Sequence, residues 1–105
     1  MEQPNLSYIH SMSGGDQAFE QKLIHIIKTE FPIEKQVYFD NISAKDYKLT
    51  AEIVHKLKHK ISILGLEKSY DVAVNYETNL LEDKTLLQDE FEAILQIMTN
   101  YLQEL

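Results

Sequence analysis

Two histidines, His55 and His59, lie one helical turn apart in a stretch that also carries three lysines, Lys56, Lys58 and Lys60. A neutral imidazole is a nucleophile that can take up and release a phosphoryl group, and lysine ammonium groups can offset the charge that phosphate brings. The neighbouring lysine charges are also expected to disfavour protonation of the ring to imidazolium, which keeps a nitrogen lone pair available. The residue types therefore allow phosphoryl chemistry at a histidine, with Lys58, one turn from His55, as charge support. By themselves they fit a solvated helix face more commonly.

On a helical wheel, His55 points away from the apolar positions of its segment. The apolar face lies roughly 160–260° away from His55. Its members are Thr50, Ile53, Val54, Leu57, Ile61 and Leu64. The face around His55 is polar or small and suits contact with a partner. Candidate docking residues on or near it are Lys48, Ala51, Glu52, Lys56, His59 and Ser62.

The elements that position this stretch are predicted to be helices. The chain has three glycines and two prolines and almost no strand-like alternation. A short helix around Leu6–Ile9 is expected to stop before the two glycines at 14 and 15. A second helix is expected to continue through Pro32 with a kink and to end near Asp40–Asn41.

The central helix is predicted to begin at Ser43, with Asp46 completing its cap, and Gly65 is predicted to end it. A fourth element follows to about Leu81, and apolar steps of three and four predict a last helix from Leu87. These elements predict an all-α fold, an antiparallel up-down four-helix bundle with a short extra N-terminal helix, as one domain over residues 1–105.

Composition narrows the class of function. A formal charge of −7 opposes nucleic-acid binding, and no apolar run approaches the length of a membrane span. The absence of cysteines and of a recognisable cationic, apolar leader favours a cytoplasmic location. There is no glycine-rich phosphate loop, so we expect no ATP site and no autonomous kinase activity.

The spacing around His55 resembles that of a histidine-containing phosphotransfer (HPt) domain. That family's motif has Leu and Lys at the second and third positions after His, and Leu-Gly at the ninth and tenth. Leu57, Lys58, Leu64 and Gly65 stand at the matching positions. The upstream Gly14-Gly15-Asp16 turn and Phe31 late in the second helix also match.

The resemblance implies an intermediate of a two-component phosphorelay. His55 would accept a phosphoryl group from the aspartyl phosphate of one receiver domain and pass it to another. The implied partners are response-regulator receiver domains and a hybrid histidine kinase; Mg²⁺ would come from the receiver, and the protein would have no cofactor of its own and be a monomer. One departure is His59, where the family has glycine, next to the surface where a receiver would dock.

Two other functions remain open from the residues. A helical adaptor could dock on receiver domains without accepting phosphate. Alternatively, His55 and His59 at positions i and i+4 could chelate a divalent metal, although a zinc site needs a third or fourth ligand. A histidine-kinase dimerisation domain fits less well, because Lys56 stands where that family has an acidic residue. His10 and His25 are expected to be surface or partly packed residues rather than ligands.

Overall fold

The computed structural model describes residues 2–105 and is all-helical in that range, as predicted. Met1, the first residue of the predicted 1–105 domain, lies outside the described residues. The helices are α1 (Ser7–Ser13), α2 (Gln17–Ser43), α3 (Tyr47–Ile63), α4 (Glu67–Leu81) and α5 (Gln88–Gln103). None of these described helices combines the length and the apolar character needed to cross a bilayer.

The glycine turn between α1 and α2 forms where the sequence predicts it. Gly14 takes a left-handed conformation with φ 57° and ends α1. The Asp16 carboxylate then accepts a hydrogen bond from the Phe19 backbone N–H at 3.1 Å, which caps the start of α2. α2 continues through Pro32 as one helix, so the prediction of a single helix rather than two is confirmed.

The junction between α2 and α3 differs from the prediction. α2 continues beyond Asp40–Asn41 and includes Ser43, so the prediction that Ser43 begins the central helix is wrong. Asp46 is the capping residue, because its carboxylate accepts a hydrogen bond from the Leu49 backbone N–H at 3.1 Å. Lys45 adopts a left-handed φ of 58°, and this conformation turns the chain between the two helices.

Gly65 ends α3 as predicted and lies at the turn into α4. Its φ of 77° is a conformation that glycine adopts without steric penalty. The N-terminal segment packs on this turn, where the Asn5 backbone N–H donates to the Leu64 carbonyl at 2.8 Å. A Cβ at position 65 would lie 2.6 Å from Asn5 Nδ2, so the close approach also favours glycine.

The N-terminal segment also supplies the cap of α4. The Glu2 carboxylate accepts hydrogen bonds from the backbone N–H groups of Lys68 at 3.0 Å and Ser69 at 2.9 Å. Burial pushes the pKa of Glu2 upward, but these backbone hydrogen bonds outweigh it and hold the pKa below its ordinary value of 4.5. Glu2 therefore connects the N-terminal segment to α4 through a charge that favours the helix start.

The long helices contact each other in a ring. α3 packs against α2 and α4, and α5 packs against α4 and α2, while α1 packs against α2. The four long helices bury one apolar core between them. The molecule measures 44 × 23 × 19 Å, and α2, with 27 residues, is its longest element.

A buried tyrosine pair lies in this core. Tyr38 and Tyr76 are fully buried and pack against Phe91, with ring centroids 5.2 and 5.1 Å from it. Tyr38 donates its proton to the Glu92 carboxylate at 2.9 Å, so Tyr76 must donate to Tyr38 at 2.8 Å. Burial raises the pKa of Tyr76 to about 12 and raises the pKa of Tyr38 as well. Both hydroxyls therefore stay protonated, and each has a partner.

Candidate functional site

α3 presents His55 outward because its apolar residues are buried on the other side. All six residues of the predicted apolar face are buried, which confirms the wheel analysis: Thr50, Ile53, Val54, Leu57, Ile61 and Leu64. The His55 side chain is 53% exposed. The imidazole is therefore fixed to a rigid helix at its base and accessible to a second molecule at its tip.

Glu77 of α4 holds the His55 ring. Its Oε2 lies 3.1 Å from Nδ1 of His55, across the interface between α3 and α4. A carboxylate only accepts hydrogen bonds, so Nδ1 must carry the proton. In the neutral ring the lone pair is then on Nε2, which has no hydrogen-bond partner among residues 2–105. This arrangement leaves Nε2 as the ring nitrogen with an accessible lone pair.

Lys58 reaches the same carboxylate from the other side. Its Nζ donates to Glu77 Oε1 at 3.0 Å, and its side chain is only 13% exposed. The ammonium group also lies 5.9 Å from the centre of the Tyr70 ring. Lys58 thus holds Glu77 in place and puts a positive charge close to His55. Its ion pair and its burial restrain the ammonium group, so Lys58 is not a freely mobile side chain.

Comparisons of the chain with protein-family models, with curated proteins and with solved structures found no match.

Lys60 does not belong to the site, contrary to the sequence analysis, which grouped it with Lys56 and Lys58. It is 8% exposed and lies on the side of α3 that faces α2. Its Nζ is 3.0 Å from Glu30 Oε1 and 3.0 Å from Glu34 Oε1. Two carboxylates therefore offset its charge, and Lys60 does not contribute to a basic surface around His55.

His59 lies against His55 on the same outward face. The ring centroids are 5.1 Å apart and the rings are perpendicular, so the edge of one ring meets the face of the other. Within the part of the chain that the structure describes, no group of three or more His, Asp or Glu side chains is arranged to hold a metal ion. The histidine pair thus has no third ligand there, and its observed interaction is ring packing.

A shallow hollow lies beside His55, and most of the predicted docking residues line it. Lys48, Glu52 and Lys56 are exposed on its α3 side, whereas Ala51 is buried, at 3% exposure, and forms part of its wall. Ser62 is exposed on α3 but does not line the hollow. α4 contributes Leu81, an exposed apolar residue that the sequence analysis did not select.

Glu77 is the main site residue that the sequence analysis missed. A usable signal was present, because two antiparallel helices joined at Gly65 bring together residues at similar distances from the turn. His55 precedes Gly65 by about three helical turns, and Glu77 follows it by a similar distance. Acidic residues of α4 at that level were therefore candidates for a partner of His55.

Proposed function

We propose that this protein is a phosphoryl carrier of the HPt type, in which His55 accepts a phosphoryl group from the aspartyl phosphate of a receiver domain and passes it to another receiver. The observation that supports this most strongly is the contact between His55 and Glu77. It leaves Nε2 as the lone-pair nitrogen on a half-exposed ring. The motif spacing from His55 to Gly65 supports the same function.

In the proposed step, the Nε2 lone pair attacks the phosphorus of the aspartyl phosphate. The new bond is N–P, the P–O bond to the aspartate breaks, and the aspartate carboxylate leaves with its electron pair. The ring then holds both the phosphoryl group on Nε2 and the proton on Nδ1, so it becomes positively charged. Glu77, 3.1 Å from Nδ1, stabilises that charge. Transfer to the next receiver reverses the step.

Lys58 has a supporting role in this proposal. It fixes Glu77 through the 3.0 Å ion pair, and its charge offsets part of that carried by the phosphoryl oxygens. The Mg²⁺ that such a transfer uses belongs to the receiver domain, and this chain needs no cofactor. The hollow lined by Lys48, Lys56 and Leu81 is the proposed docking surface for the receiver.

We also infer that α2 to α5 form an antiparallel up-down four-helix bundle, with α1 as an extra helix. Short connections join α2 to α3 and α3 to α4, which places consecutive helices antiparallel. The contact of α5 with α2 supports closure of the bundle. In this arrangement one rigid interface, α3 with α4, carries His55 and the side chain that orients it.

The test of the function is transfer of labelled phosphate. A panel of purified receiver domains, labelled on their aspartates with ³²P, is mixed with the protein in Mg²⁺. We expect acid-labile, alkali-stable label on the wild type and on His59→Gln, and none on His55→Gln. His59→Gln is the matched control, since it removes the neighbouring imidazole from the same face.

Two results would contradict the proposal. The first is label on His55→Gln that equals the wild-type level. The second is a receiver that binds the protein, seen as a shift in sedimentation, without transferring phosphate to it. That second result would instead identify a docking adaptor.

A further inference from the structure

The long helix α2 carries a row of exposed apolar side chains that none of the other described helices covers. Phe19, Ile26 and Ile33 are 46%, 39% and 63% exposed. They are spaced by seven residues, so they lie within about 40° of one another around the helix. We call these three residues the α2 stripe. The buried residues Ile27 and Phe31 lie roughly 100–140° round the helix from Ile26, so the stripe is separate from the core face.

Single exposed apolar residues are common, but a heptad row on one helix is the pattern against which another helix packs. The row extends over about 21 Å at 1.5 Å per residue, which is the length of four helical turns. A helix of similar length is therefore the fitting occupant. α2 itself, with 27 residues, provides such a helix in a second copy of the chain.

The positions along α2 are self-complementary in the antiparallel direction. With Ile26 opposite Ile26 of a second copy, Phe19 of each copy is level with Ile33 of the other. The same register brings Lys22, four residues before Ile26, level with Glu30, four residues after it. Two opposite-charge pairs then flank the apolar row, one at each side of the twofold axis.

Both charged groups are able to make this contact. Lys22 is exposed and has no ion pair within residues 2–105. Glu30 has a 53% exposed side chain and contacts Lys60 through Oε1, which leaves Oε2 for another donor. In a parallel pairing, Lys22 would face Lys22 and Glu30 would face Glu30, so the charges favour the antiparallel arrangement.

We propose that the α2 stripe is a self-association surface, through which two copies of this chain pair their α2 helices antiparallel about Ile26. From the sequence we expected a monomer, and that expectation did not take the exposed heptad row into account. The inference does not depend on phosphotransfer. His55 contacts α4 and points away from the buried face of α3, so pairing through α2 leaves the His55 ring accessible.

Three apolar side chains per copy make a small interface, and two copies of charge −7 repel each other. We therefore expect a weak, reversible dimer with a dissociation constant of about 10–100 µM at 0.15 M salt. Sedimentation equilibrium of the full chain from about 5 µM to 1 mM measures it. A chain that remains monomeric throughout this range would overturn the proposal.

Substitutions test whether the α2 stripe is the surface. Ile26→Asp should raise the dissociation constant by at least about 30-fold, because it puts two carboxylates at the twofold axis. The matched control is Leu86→Asp, which introduces the same charge at a 65% exposed leucine between α4 and α5 and should leave association unchanged. Equal effects of the two variants would contradict the proposal, and circular dichroism of each verifies that it is folded.

A charge exchange tests the register. Lys22→Glu and Glu30→Lys should each weaken self-association about 5- to 10-fold, since like charges then face each other twice. An equimolar mixture of the two variants should form a heterodimer close to wild-type strength. One variant carries glutamate at both positions and the other carries lysine at both, so each of the two facing pairs again joins opposite charges. A mixture that associates no better than the separate variants would overturn the proposed register.

Discussion

Replacing Glu77 with glutamine should slow phosphoryl transfer through His55 without disrupting the fold. The amide keeps the size of the side chain, and its oxygen can still accept from Lys58, which donates to Glu77 Oε1 at 3.0 Å. The amide NH₂ then faces Nδ1 of His55 and needs an acceptor there. The ring responds by moving its proton to Nε2, which removes the lone pair from the exposed nitrogen.

The size of this effect follows from the hydrogen bond that is lost. A hydrogen bond to a charged group contributes about 1.5–3 kcal/mol, and each 1.4 kcal/mol of barrier changes a rate tenfold. The carboxylate also stabilises the positively charged ring that forms during transfer. The barrier to transfer therefore rises by the full free energy of this hydrogen bond when the carboxylate is replaced. We therefore expect the transfer rate of Glu77→Gln to fall about 10- to 100-fold.

Rapid-quench measurement of transfer from a labelled receiver gives the rate, and ¹⁵N NMR of the His55 ring gives the tautomer. Glu67→Gln is the matched control, since Glu67 is an exposed glutamate at the start of α4, about 15 Å from Glu77 along the helix axis, and makes no ion pair within residues 2–105. We expect the rate of this control to stay within about twofold of wild type, because Glu67 lies outside the proposed docking hollow. A Glu77→Gln rate within twofold of wild type, with the ring proton still on Nδ1, would refute the orienting role of Glu77.

Three further predictions concern stability. Tyr38→Phe should lower the free energy of unfolding, measured in urea, by about 2 kcal/mol, because it leaves the Tyr76 hydroxyl buried without its acceptor. Tyr76→Phe should cost roughly half as much. A larger loss for Tyr76→Phe than for Tyr38→Phe would contradict the direction of the hydrogen bond. Gly65→Ala should cost about 1–2 kcal/mol, since alanine at φ 77° is strained and its Cβ approaches Asn5; an unchanged urea midpoint would count against this. Glu2→Gln should cost about 1 kcal/mol at neutral pH. Because folding lowers the pKa of Glu2, its contribution is present above pH 4.5 and is lost as the pH falls further, so the two urea curves should converge in acid; a constant difference down to the acid transition would refute it.

Much of the scaffold around His55 could be predicted from local patterns. Helical periodicity identified the buried face of α3, and Gly65 marked its end because its left-handed conformation excludes most other residues. The start of α3 could not be chosen as reliably, since Ser43 and Asp46 are both good capping residues. The choice depends on the left-handed turn at Lys45, for which the sequence has no glycine signal.

The parts of the site that depend on neighbouring helices were less predictable. On a wheel of α3, Lys60 lies about 140° from His55, at the edge of the apolar face, whereas Lys58 lies about 60° from His55. The two partners of Lys60, Glu30 and Glu34, come from α2, and no pattern within α3 predicts them. Glu77 is invisible to any pattern within α3 for the same reason, because its contact with His55 crosses a helix interface. Pairing residues by their distance from a turn is the one sequence argument that reaches such contacts.

NMR of the phosphorylated protein tests, without a partner protein, whether Glu77 makes Nε2 of His55 the nucleophile. ¹⁵N-histidine-labelled protein is treated with phosphoramidate, a small phosphoryl donor, and its rings are observed in ¹H–¹⁵N correlation spectra. We expect a phosphoryl group to appear on Nε2 of His55 before it appears on any other imidazole, while Nδ1 of His55 keeps its proton. Phosphorylation first at His59, or at Nδ1 of His55, would contradict it.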